Sequence, residues 1–157
     1  MSDQSSPLAP PDPPPGGGAA GIVVQRRIEW WDTDASGNFH NTAVSRLLET
    51  AETLLLARLG ILHDVYDRLP RVRFEADYRA PLAFHDLVEV ALRVEAIGRS
   101  SITYGARISR HGTTCVEARA VAVLLDRPRG RPTSWPREHR ELLLTAGQLE
   151  PELLTGY

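Results

Sequence analysis

Residues 29–49 read EWWDTDASGNFHNTAVSRLLE, and within this stretch a strand-like run gives way to a turn and then to a long amphipathic helix. The turn gathers Asp32, Asp34, Gly37, His40 and Asn41, a density of chemically able groups that no other segment matches. Asp and Gly favour turns, and Asn41 is a good helix N-cap residue. A helix N-terminus points unpaired backbone N–H groups and the positive end of the macrodipole outward, where they can polarise a carbonyl or hold a developing oxyanion. The junction that decides the fold is therefore also laid out as a site.

On its C-terminal side the periodicity predicts a helix over Thr42–Leu59, with Val44, Leu47, Leu48, Ala51, Leu54, Leu55 and Leu59 on one stripe and Gly60 closing it. On its N-terminal side Ile22–Trp31 reads as a strand, with Val24, Arg26, Ile28 and Trp30 on one face. Arg71–Ala80 alternates strictly and is expected to be a half-buried strand. Three further alternating runs, Leu87–Ile97, Ser100–Arg110 and Thr114–Asp126, are divided by turn signals at Gly98 and Gly112 and should form an antiparallel meander. A short helix over Pro136–Thr145 opens at a proline suited to the first turn. The order is strand, helix, four strands, helix. With no helix between the last four strands a parallel sheet is excluded, so the class is α+β: a curved antiparallel sheet of about five strands around one long helix.

A chain of 157 residues with 42% hydrophobic content holds one domain with a real core. Residues 1–20, with Pro7, Pro10, Pro11, Pro13 to Pro15 and Gly16 to Gly18, are expected to be a disordered tail. The domain is placed at 21–146 and a C-terminal tail at 147–157. Cys115 is the only cysteine, which excludes an internal disulfide and a Cys-based zinc cluster and suits the cytoplasm. The longest apolar stretch, Ala120–Leu125, is far too short to span a bilayer, so a soluble protein with no membrane partner is expected. A net charge of -2 gives no ground for a nucleic-acid partner, and the absence of lysine removes Schiff-base chemistry. His63, His85, His111 and His139 are isolated, so no metal is expected.

The motif D32-T-D-A-S-G-N-F-H-N41, joined to L47-L-E-T-A51 in the helix, resembles the hotdog-fold acyl thioesterases of the 4-hydroxybenzoyl-CoA thioesterase type. The resemblance covers about residues 22–127. Members read D-x-D-x-x-G, a short segment, a helix N-terminus and then a helix glutamate, which fall here on Asp32, Asp34, Gly37, Asn41 and Glu49. Many relatives carry tyrosine then histidine where this chain has His40 then Asn41. The resemblance implies hydrolysis of a thioester between an acyl group and coenzyme A or the phosphopantetheine of an acyl carrier protein. It implies no metal or redox cofactor, coenzyme A or phosphopantetheine being part of the substrate. It also implies a homodimer or homotetramer with its active sites at the subunit interface.

On this basis Asp34 is the candidate nucleophile toward the thioester carbonyl, or the base for an attacking water, and Asp32 orients the turn. Gly37 allows close approach of substrate to the backbone, the Asn41 N–H meets the thioester oxygen, and His40 is a secondary candidate for carbonyl contact or leaving-group protonation. Glu49 either faces the interface cavity, where burial would raise its pKa and suit it as a base, or pairs with Arg46 at i−3. Arg99, Arg127 and Arg129, with Arg131, are candidates to grip coenzyme A phosphates or an acidic carrier surface. Trp30, Leu56, Tyr66 and Phe74 are candidates for the acyl pocket, whose occupant could be an aryl, short aliphatic or polyketide group. Two other classes compete. Hydratases or dehydratases of this fold set a histidine five positions after an aspartate, whereas Asp34 and His40 are six apart; a non-catalytic acyl-binding module would lose the carboxylates.

Overall fold

The alternating runs become five antiparallel strands in the computed structural model, which describes residues 18–155. They are β1 (Gly21–Arg27), β2 (Arg71–Tyr78), β3 (Leu87–Ile97), β4 (Ser101–Arg110) and β5 (Thr113–Val123), hydrogen-bonded in the order β1-β3-β4-β5-β2. The helix predicted from the 3.6-residue stripe is α1 (Ala43–Arg58), which rests on β1 and β3. This is the hotdog arrangement, a single long helix against one face of the sheet.

Period 2 in the strands and period 3.6 in the helix meet in one core. Val44, Leu47, Leu48, Ala51 and Leu55 of α1 are buried against Ile22 and Val24 of β1, Val88 to Leu92 at alternate positions of β3, and Ile102, Tyr104 and Ile108 of β4. Each buried Leu or Ile contributes roughly 1.5–3 kcal/mol of transfer free energy, so this interface is a large source of the fold's stabilisation. Cys115 is buried as a free thiol. Among the described residues no helix is long and apolar enough to cross a membrane.

Several boundaries differ from expectation. β1 ends at Arg27 rather than Trp31, because Trp30–Asp32 turns as a 3-10 segment held by the Asp32 carboxylate, which accepts the Glu29 N–H at 2.8 Å. β2 is an edge strand and is less buried than its alternation implies: Val72 is 60% and Tyr78 49% exposed, and a bulge between Arg71 and Arg73 shifts its register on β5. The four-residue α2 (Leu62–Val65) and a 3-10 turn over Tyr66–Arg68 are too short to leave a periodic signature.

The polyproline part of the expected tail is outside the described residues. Ala20, assigned to that tail, is fully buried and donates its N–H to the Leu143 carbonyl at 2.8 Å, in α3 (Arg137–Thr145). Past α3 the chain does not leave the domain as a tail. It runs parallel along the outer edge of β1, with Leu149 N–H donating to Gly21 at 2.8 Å, Glu152 N–H to Val23 at 2.8 Å and Gln25 N–H to Glu152 at 2.8 Å. Arg58 at the end of α1 ties this strap down through the Glu150 carbonyl and the Glu152 carboxylate. Edge strands need such cover; β2 has none among the described residues.

Candidate active site

Asp32 anchors the junction between β1 and α1. It is 5% exposed, accepts the Arg46 guanidinium at 2.7 Å on its carboxylate, and accepts the His40 N–H at 2.6 Å on its carbonyl. Around it Thr33–Phe39 folds back as a small hairpin, with Thr33 bridged to Phe39 and the Asp34 N–H donating to Asn38 at 2.8 Å. Gly37 closes the turn at φ 81°, with open space where a Cβ would stand, so its left-handed backbone rather than crowding asks for glycine.

Asp34 sits exposed at the hairpin tip. Its Oδ1 accepts the Ser36 hydroxyl and, at 2.8 Å, the Ser36 N–H. The Ser36 hydroxyl, then the Ser36 and Asn38 N–H groups, hold its pKa below the ordinary aspartate value. The group is thus a fixed, ionised carboxylate.

The helix entrance differs from the sequence reading. Thr42, not Asn41, occupies the N-cap position, and its side chain makes no capping bond. His40 does the capping instead: its Nδ1 accepts the Thr42 N–H at 3.1 Å, with Thr42 Oγ1 at 2.7 Å, and its carbonyl accepts the Ala43 N–H at 3.0 Å. An accepting Nδ1 leaves the proton of the neutral ring on Nε2. Asn41 lies just outside the helix, its carbonyl taken by the Tyr78 hydroxyl at 2.7 Å and its own N–H without a partner among the described residues.

Two cavities open along the side of α1. The first, about 590 Å³, lies between the start of α1 and β2 and is lined by Asn41, Ser45, Glu49, Phe74 and Tyr78 among others. The second, about 410 Å³, runs toward the far end of α1 past Glu52, Leu56, Leu62, Tyr66 and Arg71. Glu49 belongs to the walls of both. Its alternative partner Arg46 is committed to Asp32, so Glu49 has no ion pair among the described residues. Glu49 is itself exposed. The helix carboxyl whose pKa is raised is Glu52, through burial first, against the opposing pull of Arg71.

Other expected contacts are not assembled. Trp30 is 77% exposed and meets Phe84 edge-on at 6.0 Å, away from the cavity that holds Phe74. Arg99, Arg127 and Arg129 are exposed in loops at the end of the sheet where β4 starts and β5 finishes, the end at which β2 also begins. Asn41 and Tyr78 lie at the opposite end of β2, so these arginines do not reach Asp34 within one chain. Tyr78, Glu52 and Arg71 were not singled out by sequence reasoning. The signal available for Glu52 was its i+3 spacing from Glu49.

Residues 28–143 match the model of the thioesterase-like superfamily. The 1,4-dihydroxy-2-naphthoyl-CoA hydrolase of Synechococcus elongatus is 31% identical over 108 residues, covering 65% of this chain and 79% of its own length. A predicted thioesterase from Bacillus stearothermophilus superposes with a TM-score of 0.71 at 26% identity, over 78% of this chain and 93% of its own. A thioesterase from Thermus thermophilus, solved with coenzyme A and Zn, superposes with a TM-score of 0.69 at 26% identity, over 77% and 90% of the two chains. The hotdog sheet, the D-x-D-x-x-G hairpin and this match together establish that the chain belongs to the thioesterase-like superfamily.

Proposed function

We propose that this protein hydrolyses acyl-CoA thioesters, with the thioester carbonyl held at the entrance of α1. The observation that carries this reading is the unpartnered Asn41 N–H at a helix N-terminus, flanked by the Asp34 hairpin and by a cavity bearing Glu49. A backbone donor there stabilises the oxyanion as charge develops, while costing nothing in reorganisation. Asp34 supplies the carboxylate chemistry, attacking the carbonyl carbon or taking a proton from the attacking water. In the first route the carbon–sulfur bond breaks as a mixed anhydride forms on Asp34, and water then cleaves that anhydride to free the acid and restore the carboxylate; in the second the water oxygen bonds directly to the acyl carbon as the carbon–sulfur bond breaks; in both the thiol leaves with a proton. A second reading gives this role to Glu49, favoured by its place in both cavity walls and its lack of a counter-ion among the described residues. The chemistry asks for no cofactor beyond the coenzyme A of the substrate. The likeness to a CoA-thioester hydrolase and to a thioesterase solved with coenzyme A supports coenzyme A ahead of a carrier protein as the handle; the setting proposed for it is the cytoplasm. Free-thiol release across a panel of acyl-CoA and acyl-carrier-protein thioesters tests the reading: turnover of acyl-CoA is expected, and release from no member of the panel overturns it.

The working unit is proposed to be a homodimer or a dimer of dimers. β2 pairs only with β5 among the described residues, leaves Val72 and Tyr78 exposed, and borders the first cavity, so a second copy laid along this edge would also wall the site. Light scattering is expected to give twice or four times the 17.4 kDa chain mass. A stable monomer that turns over substrate would remove the shared-site arrangement.

A further inference from the structure

The second cavity holds an ion pair that the proposed hydrolysis leaves unused. The α1 periodicity sets Glu49, Glu52 and Leu56 along one side of the helix, and the first residue of β2, Arg71, reaches Glu52 with Nη2 at 2.6 Å. Both side chains are largely shielded, at 12% and 19% exposure. Among the described residues Nη2 is the only guanidinium nitrogen of Arg71 with a hydrogen-bond partner. Behind the pair stands Tyr104, fully buried. The remaining wall is mainly apolar, from Leu56, Leu62, Tyr66 and Leu69. A guanidinium with spare donors in an otherwise greasy wall is a recognition element: it is always charged, planar and unable to accept a hydrogen bond, so only a ligand acceptor can complete it.

Resting on the hydrolase reading, we propose that this cavity is the acyl chamber, and that Arg71, held by Glu52, selects acyl groups carrying a neutral oxygen acceptor over plain hydrocarbon acyl groups of the same length. Position follows from the helix. Glu49 is shared with the first cavity, and Glu52 lies three residues further on, about 4.5 Å along the axis. Asn41, which holds the thioester carbonyl, lies 11 residues before Glu52, so the acceptor, a keto, ether or hydroxyl oxygen, sits about 16 Å, three helical turns, from the thioester carbon. Neutrality follows from charge. Two carboxylates, Glu49 and Glu52, stand against one guanidinium in this wall, so a second carboxylate on the acyl group meets net repulsion. Selectivity follows from the donors. A wall built to hydrogen-bond a substrate oxygen rejects the analogue that lacks it, because its own polar group is then left unpaired.

The test compares kcat/KM for three long-chain acyl-CoA thioesters of one chain length: the plain alkanoyl, the same chain with an oxo group about 16 Å from the thioester carbon, and the same chain ending in a carboxylate. For the wild-type protein the oxo substrate is expected to exceed both others by about tenfold or more. In Arg71→Met that ratio is expected to fall toward one. Arg71→Lys, which keeps the charge beside Glu52 but loses the planar fork, gives an intermediate ratio and serves where Arg71→Met does not fold. Equal kcat/KM for the oxo and plain substrates in the wild type, or an unchanged ratio in both variants, overturns the chamber assignment while leaving hydrolysis standing. Thiol release from none of the three overturns the hydrolase reading and this inference with it.

Discussion

Asp34→Asn is expected to lower kcat/KM by at least about a hundredfold, the usual scale of one acid–base or nucleophilic carboxylate. The fold should survive the change. Asp34 is exposed on the hairpin tip, its side chain bonds only locally to Ser36 and Asn38, and an asparagine oxygen can still accept the Ser36 N–H that stands 2.8 Å from Oδ1. What the amide loses is the charge. Free-thiol release with one acyl-CoA, set beside a thermal melt of the same preparation, separates the two. Retention of more than half the wild-type turnover would sink the assignment. Glu49→Gln, run in parallel, then decides the second reading: the residue whose loss abolishes turnover is the working carboxylate. The wild-type pH profile carries a linked expectation. Because the active form of Asp34 is ionised and its pKa lies below the ordinary value of 3.8, activity should persist as pH falls through the usual carboxylate range and be lost only below it. An acid limb near neutrality would point to another group.

The largest expected effect on stability comes from the helix–sheet interface. Leu55 is fully buried on the face of α1 that rests on β1 and β3. Leu55→Ala removes apolar contact and leaves a void that the packed sheet cannot close, at a cost of about 3 kcal/mol. For a chain of this size that corresponds to a fall of roughly 6–12 °C in the melting temperature. Denaturant unfolding followed by circular dichroism measures it. A loss under about 1 kcal/mol would mean that α1 packs loosely and that the core lies elsewhere.

Most of the architecture was legible because its signals are local. Strict alternation marked β2 to β5 and the 3.6-residue stripe marked α1, each to within a few residues of its observed limits. The site was legible only in part, since its finer roles are set by residues distant in sequence. Capping propensity favours Asn41, yet Tyr78, 37 positions away, takes the Asn41 carbonyl, and His40 caps instead. Glu49 and Glu52 look alike on a helical wheel. Arg71, 19 residues on from Glu52, makes the difference between an open carboxylate and a buried ion pair. Nor can spacing reveal at which end of a sheet a loop emerges, and Arg127 and Arg129 leave β5 at the end opposite Tyr78 and Asn41. The strap along β1 was missed for a related reason. A short polar run holding Pro151 and two glutamates has no strand-like alternation, and its place is set by backbone bonds to Gly21, Val23 and Gln25.

That strap fixes how copies of this chain can add to one another. A five-stranded sheet with two bare margins could extend in both directions, each new copy leaving another margin for the next, and the product would be a fibre. Here one margin is already occupied by the chain's own residues 147–152, leaving β2 as the bare one among the described residues. Two copies meeting through β2 consume both available margins at once, and no sticky end remains. Growth by strand addition through β2 would stop at two, and anything larger would have to assemble through faces rather than edges.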